Sequence, residues 1–369
     1  KKSPGVPLYE ALYRCIRQDI LTGELAPGTK LPSKRALAEN LKISKITVET
    51  AYNQLLSEGY IGSREKIGYF VEAVERVAPR QTAQPLPVAP APQAPVLDLT
   101  GSGTVRFPFS VWSKLQREVM LDQGEQLLLP MPNRGIPELQ QAIADHLAAF
   151  RGMKADPENI LVGAGTDFLY NLLIQLLGRE KIYAVEEPGY GKIRKIYAAG
   201  GVRCMGIPMD EQGVIPAALG DSQVLHISPS HHFPTGIVTP AARRRELLSW
   251  AEESPERYII EDDYDSEFRF DIRPLPSLQG MAGPDGPVLY LCTFSKSLAP
   301  SIRIACMVLP RGLLTQYRHM FGAYSNTVGR FDQQTLCRFL TEGHFARHLA
   351  HMRNVYHKRM QRLCAALEA

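Results

Sequence analysis

The sequence predicts two bodies in one chain: a small winged helix-turn-helix unit, followed by a three-layer α/β domain on a mostly parallel sheet. Three observations predict it. Residues 77–95 hold six prolines and almost no acidic or aromatic residue, a composition that can neither bury a core nor sustain a helix and reads as a linker. Ahead of it, apolar residues recur at helical spacing between capping residues. Behind it, short apolar runs alternate with longer helical stretches, the pattern of strands buried by helices on both faces. The expected divisions are therefore 1–76, a linker at 77–96, and 97–369. At 369 residues, two or three domains are expected on the usual scale of roughly 100–200 residues each.

In the first part, Leu8, Leu12, Ile16 and Ile20 form the stripe of an amphipathic helix that stops before Gly23. Ser33 is placed to cap a short helix through Leu41, and Ser44 to cap a second, roughly Lys45 to Ser57. The second helix would bury Val48, Ala51, Leu55 and Tyr52, leaving Lys45, Ile46, Thr47, Glu49 and Thr50 at its exposed N-terminal end, the end that enters the major groove in this motif. Residues 60–71 alternate around glycines like a hairpin, a wing beside the helices. Net charge is +4, with an excess of three positive charges in residues 1–76, compatible with phosphate contacts.

In the second part, strands are expected at Asn159–Val162, Ile182–Val185, Val202–Ile207, Val224–Ile227, Tyr258–Glu261, Val288–Cys292 and Ala305–Leu309. The chemistry-bearing motifs fall at their ends. Thr293-Phe294-Ser295-Lys296-Ser297-Leu298-Ala299-Pro300-Ser301-Ile302-Arg303 sets one lysine among small hydroxyl residues, with an arginine seven positions on. That suits pyridoxal 5'-phosphate: the lysine forms an aldimine with the aldehyde while hydroxyls, N–H groups and guanidinium neutralise the phosphate. Val162-Gly163-Ala164-Gly165-Thr166-Asp167 follows a strand and opens a helix, Phe168 to Leu177, whose free N–H groups suit an anion. Glu261-Asp262-Asp263-Tyr264-Asp265 ends a buried strand; a carboxylate there can keep a pyridine nitrogen protonated and a phenol can bond the ring oxygen. A metal is not expected on these acids, since adjacent strand positions face opposite sides and no histidine is in register. Tyr190, on the Glu187-Pro188-Gly189-Tyr190-Gly191 turn, suits stacking on a ring.

Composition, at 44% hydrophobic and 22% charged with no apolar run near the ~20 residues that span a bilayer, argues against a membrane role. The six cysteines are scattered without a C-x-x-C pair, so reduced thiols and a cytoplasmic location are expected. The absence of an initial methionine suggests a piece of a longer sequence.

Residues 6–72 resemble the winged helix-turn-helix domain of GntR-type bacterial regulators, through L-P-S-x-R-x-L-A, a recognition helix and the E-G-Y entry to the wing. The resemblance implies Arg35, Lys45, Thr47, Arg64 and Lys66 as contacts to promoter double-stranded DNA, alongside the capping residues Ser33 and Ser44. Lys45 stands where arginine is commoner, which loses the bidentate fork to guanine, and Lys66 where the wing usually has glycine. Residues 97–369 resemble fold-type-I aminotransferases, and the whole chain resembles MocR-type regulators, through Ser228-Pro229-Ser230-His231-His232-Phe233-Pro234-Thr235-Gly236, Glu261–Phe268 and Thr293–Leu298. This implies Lys296 as the Schiff-base lysine, Asp262 at the pyridine nitrogen with Asp263 as the open alternative, Tyr264 at the ring oxygen, Tyr190 stacked on the ring, and Ala164, Gly165, Thr166, Thr293, Ser295 and Arg303 around the phosphate.

The chain departs from relatives at Phe233, where aminotransferases carry asparagine, at Met131, near a tyrosine of relatives, and at Ala305-Cys306, where glycine and tyrosine are frequent. It stops at Ala369 inside a helical period, so the C-terminal small domain, with its carboxylate-holding arginine, is expected to be incomplete. The resemblance implies a homodimeric regulator that senses pyridoxal phosphate, an amine or an amino acid through aldimine chemistry, not an enzyme. The alternative is a working aminotransferase with an accessory DNA module.

Overall fold

In a computed structural model the described residues are 7–64, 67–73, 107–268 and 275–368. The chain divides into two compact units, Lys1–Leu97 and Asp98–Ala369. The expected linker at 77–96 and the wing residue Lys66 lie outside the described residues.

The first unit holds α1 (Leu8–Thr22), α2 (Lys34–Leu41), α3 (Lys45–Ser57) and the antiparallel hairpin β1 (Ile61–Arg64) and β2 (Gly68–Val71). Its boundaries follow local chemistry. α1 ends at Gly23 in the left-handed region, where glycine carries no Cβ penalty. Ser33 Oγ accepts the Ala36 N–H and Ser44 Oγ accepts the Thr47 N–H, so both expected caps form. Ile16, Ile20, Val48, Tyr52, Leu55, Ile61 and Val71 make one core beneath the three helices and the hairpin. The Tyr52 hydroxyl donates to the Pro32 carbonyl at 3.0 Å, fixing the entry to α2.

The second unit is built on an eight-stranded sheet of order β3-β10-β9-β8-β7-β4-β5-β6. Its strands are β3 (Ile160–Gly163), β4 (Ile182–Glu187), β5 (Arg203–Asp210), β6 (Gly213–Val214), β7 (Val224–Ile227), β8 (Tyr258–Asp263), β9 (Val288–Thr293) and β10 (Ala305–Val308). The pairs among β5, β4, β7, β8 and β9 are parallel; β10 runs antiparallel to both β9 and β3, and the short β6 antiparallel to β5. All seven strands read from the sequence are present, and the two-residue β6 was not foreseen.

Strand alternation sorts side chains between layers. Ile160, Val162, Tyr290, Cys306 and Val308 pack with α4 (Phe109–Gln123), α5 (Pro137–Arg151), α11 (Arg330–Thr341) and α12 (His344–Glu368). Their neighbours Leu161, Leu289, Leu291, Ala305 and Met307 pack with α6 (Thr166–Leu177), α7 (Gly191–Ala199) and α10 (Arg311–Phe321). α8 (Ala241–Glu252) and α9 (Leu278–Ala282) close a third cluster around Leu225, Ile227 and Ile259. No helix among the described residues is long and apolar enough to cross a membrane.

The cysteine expectation needs correction. Cys292 and Cys306 are disulfide-bonded, while Cys15, Cys204, Cys337 and Cys364 are free. The two lie 14 residues apart in sequence, and the return of the chain from β9 into antiparallel β10 sets them directly opposite one another. A search for short cysteine spacings misses a pair created by strand register.

Candidate functional site

The C-terminal ends of β4, β7, β8 and β9 open into a cavity of about 800 Å³ whose wall includes Thr166, Tyr190, Asp262, Tyr264, Thr293, Ser295, Lys296 and Arg303. Ligands of open α/β sheets collect at this edge, where strands hand over to loops and helix N-termini face the crevice. Of the expected cofactor residues, only Ala164 and Gly165 are not on the wall. The Ala164 N–H donates to Thr327 Oγ1 at 3.0 Å. Gly165, at φ 85°, lies under the Arg303 guanidinium, where an added Cβ would come within 2.4 Å of Nη2. A side chain there would fill the space the arginine uses.

The lysine turn is braced internally. The Ser295 N–H donates to Thr293 Oγ1 at 3.1 Å and the Ser295 hydroxyl donates to the Ile302 carbonyl at 2.9 Å, so the ends of the Thr293–Arg303 segment are tied together. Lys296 is exposed between them. Arg303 reaches Asp167 at 3.3 Å, and Lys192 reaches the same carboxylate at 2.7 Å, so two cations and one anion stand at the start of α6.

The two candidate acids separate cleanly. Asp262 lines the cavity, whereas Asp263 points to the opposite face, as adjacent strand residues must, and meets Arg151 Nε at 2.9 Å and the Tyr290 hydroxyl at 2.5 Å. The Tyr170 hydroxyl donates to Asp262 Oδ2, and His226 Nε2 stands 3.3 Å from the same oxygen. Asp262 Oδ1 is buried without a partner. A buried polar atom left unbonded is costly, and a protonated ring nitrogen is the kind of donor it lacks.

Tyr264 donates to the His231 carbonyl at 2.9 Å, and burial raises its phenol above the usual tyrosine range, so it stays a neutral donor. Tyr190 meets Phe233 edge-on with ring centroids 6.0 Å apart, both on the cavity wall. Glu186, also on the wall, accepts the Ser228 N–H at 3.1 Å; burial, reinforced by Asp262, pushes its carboxyl up to about 8. Asp265 is likewise raised by burial, against the pull of His231 at 2.7 Å. The donor set suits pyridoxal 5'-phosphate: an exposed lysine, an unpartnered carboxylate oxygen, a neutral phenol, and a glycine-floored arginine. Among the described residues no cluster of three or more His, Cys, Asp or Glu could hold a metal ion.

Sequence reasoning missed Tyr170, His226 and Glu186, and it gave no role to Asp167 at the end of the glycine motif. Tyr170 had a signal, sitting one helical turn after Thr166 on the helix that opens the site. His226 is a lone polar residue in the otherwise apolar run Val224–Ile227.

In the first unit, Arg35 is exposed and pairs with Glu39 at 2.9 Å; Lys45 is exposed, Thr47 is half-buried, and Ser44 Oγ lies 2.7 Å from Thr47 Oγ1. The Arg64 guanidinium lies 4.6 Å from the centre of the Phe70 ring. Ser33 lines a cleft of about 500 Å³ with Lys30, Ile67 and Tyr69, between the start of α2 and the hairpin.

Residues 8–71 match the family described as bacterial regulatory proteins, gntR family, and residues 98–369 match aminotransferase class I and II. The chain is 37% identical over 362 residues to the HTH-type transcriptional regulator YdeL of Bacillus subtilis, covering 96% of this chain and 78% of that protein. It is 33% identical to the probable rhizopine catabolism regulatory protein MocR of Rhizobium meliloti (98% and 77% covered) and 33% identical to the pyridoxine biosynthesis transcriptional regulator PdxR of Corynebacterium glutamicum (93% and 75%). Among solved structures, the α-aminoadipate aminotransferase LysN of Thermus thermophilus aligns with a TM-score of 0.63 at 27% identity, covering 73% of this chain and 70% of that one. The kynurenine aminotransferase of Pyrococcus horikoshii aligns with a TM-score of 0.64 at 25% identity (71% and 67%).

Proposed function

Since the chain belongs to the MocR-type transcriptional regulators, which join a GntR helix-turn-helix to an aminotransferase class I and II domain, we propose that it binds promoter DNA and senses pyridoxal 5'-phosphate, or an amine or amino acid that reacts with it. One observation carries the reading. Lys296, Asp262 with its unpartnered oxygen, Tyr264 and Arg303 converge on one cavity, in a chain whose other unit presents Arg35, Lys45 and Arg64. When bound, the cofactor supplies an aldehyde that condenses reversibly with amines and a ring that withdraws electrons.

The chain's own groups divide the work. Lys296 is the amine that would hold the aldehyde and that an effector amine would displace. Asp262 Oδ1 would accept from the ring nitrogen, and Tyr264, kept neutral by burial, would turn its one hydroxyl proton from the His231 carbonyl to the ring oxygen. Tyr190 covers one ring face. Arg303, with Thr166, Thr293, Ser295 and the α6 N-terminus, holds the phosphate, aided by the neighbouring Gly165. On the DNA side, Ser33, Arg35, Ser44, Lys45, Thr47, Arg64 and Lys66 would meet the duplex, with the N-terminal end of α3 in the major groove. The effector acts by favouring one arrangement of the assembled protein over another, which requires different affinity for the two.

The test joins both halves. Protein given pyridoxal phosphate is expected to acquire a visible absorbance band that Lys296→Ala abolishes, and a responsive amine is expected to change both that band and the affinity for promoter DNA. A band that persists in Lys296→Ala would overturn the sensor reading. Sustained exchange of amino groups between an amino acid and a 2-oxoacid, with no effect on DNA binding, would favour an aminotransferase instead.

A further inference from the structure

Three buried donors converge behind Asp262. His226 on β7 pairs in register with Ile260 on β8, and Asp262, two residues on, projects to the same face. Tyr170 reaches the same oxygen from α6: long helical side chains lean toward the helix N-terminus, which here abuts the cavity. From α7, the Tyr197 hydroxyl lies 2.6 Å from His226 Nδ1. Tyr170, Tyr197 and His226 are all buried.

The chemistry gives this chain one direction. A carboxylate only accepts, so His226 must present Nε2–H to Asp262. The Tyr197 hydroxyl, which keeps its own proton, then donates to Nδ1 as the acceptor nitrogen of the ring. Burial and the Asp262 charge hold both phenols well above the ordinary tyrosine range, so neither gives up its proton. Oδ2 thus takes two donors while Oδ1 takes none.

We propose that Tyr170 and His226, the latter set in its tautomer by Tyr197, are positioning residues that fix the Asp262 carboxyl through Oδ2 and leave Oδ1 for the ring nitrogen of the cofactor. The assignment rests on the pyridoxal phosphate reading above. The other titratable groups in the field of Asp262 are Glu186 on β4 and Tyr264 beyond β8, with Asp263 on the opposite face. None of them donates to Oδ2.

A ring nitrogen that keeps its proton draws electrons from the lysine linkage and lowers the pH midpoint of the visible band. Weakening the hold on Asp262 should raise that midpoint. In the full-length chain loaded with pyridoxal phosphate, Tyr170→Phe and His226→Leu are each expected to raise it by about one pH unit, a tenfold change in the proton equilibrium. The same substitutions in an Asp262→Asn background are expected to add almost nothing, because they act through that carboxylate. Thermal melting of the cofactor-free variants checks that the fold persists; should His226→Leu fail to fold, Tyr170→Phe, which keeps the ring, carries the test. Unmoved midpoints, or equal shifts with and without Asp262, overturn the assignment while a normal wild-type band leaves the cofactor reading standing. A wild-type chain with no Lys296-dependent band overturns both.

Discussion

Glu186 is the carboxyl most displaced in the cavity wall, held up to about 8 by burial and by Asp262. It is therefore largely protonated at neutral pH and presents a donor where a charge would otherwise stand. The sign for stability follows from linkage. A carboxyl whose folded pKa exceeds its unfolded value of 4.5 favours the folded state fully below that value, and the contribution is lost as pH rises toward about 8. Glu186→Gln should flatten the decline in chemical-denaturation midpoint between these limits, an effect on the order of a few kcal/mol at about 1.4 kcal/mol per pH unit. An unchanged slope would show Glu186 ionised in the folded chain. Behind the sheet, Arg151 meets Asp263 at 2.9 Å and donates to Ser230 Oγ at 3.0 Å, both buried. Arg151→Met should cost about 3–5 kcal/mol, since it strands a buried carboxylate; Arg151→Met paired with Asp263→Asn should recover part of that loss. These groups mark the limit of what the sequence could disclose. Lys296, Arg303 and Asp262 were legible because each lies in a contiguous motif, whereas Tyr170, His226, Glu186 and Arg151 reach their partners only through strand register and helix placement.

Elements were legible wherever one residue pattern sufficed. Short apolar runs located seven strands, and Ser33 and Ser44 located two helix starts. Strand direction was not legible, because alternation repeats identically in both senses; hence the antiparallel sense of β10 and the cysteine pair it creates were missed, although the strand itself was read. That pair closes the β9–β10 connection, which carries Thr293, Ser295, Lys296 and Arg303 between its ends. Closing a loop of this length stabilises by about 3 kcal/mol in the chain-entropy description. Cys292→Ser/Cys306→Ser should therefore lower the denaturation midpoint of the second unit and weaken retention of pyridoxal phosphate, and a dithiol reductant should reproduce the effect in the wild type alone. The turn into α6 offers a contrasting test. Gly165 at φ 85° and ψ 169° occupies a region essentially reserved for glycine. Gly165→Ala should cost about 1–3 kcal/mol in stability and, by crowding Arg303, weaken phosphate retention far more than the stability loss explains.

At the scale of the molecule, the question is how a head of three short helices and a hairpin earns enough affinity to find an operator. Its exposed cations at the α2, α3 and β1 positions, Arg35, Lys45 and Arg64, offer few phosphate contacts, and each contributes roughly one unit to the salt slope. One head alone should bind weakly and lose its hold steeply as salt rises. Two copies reading a repeated half-site would double the contacts and make the second binding event intramolecular, at an effective concentration set by the connection between the units. The full-length chain is therefore expected to show, on DNA carrying two half-sites, a salt slope about twice that on a single half-site. Arg35→Ala and Lys45→Ala should each reduce the two-site slope by about two, once per head. Because lysine at position 45 lacks the rigid planar fork of arginine, Lys45→Ala should weaken binding to all sequences nearly equally, while Lys45→Arg should sharpen discrimination for guanine at one base pair. Equal slopes on one and two half-sites would mean that only one head engages, and coupling between cavity and DNA would then have to act within a single chain.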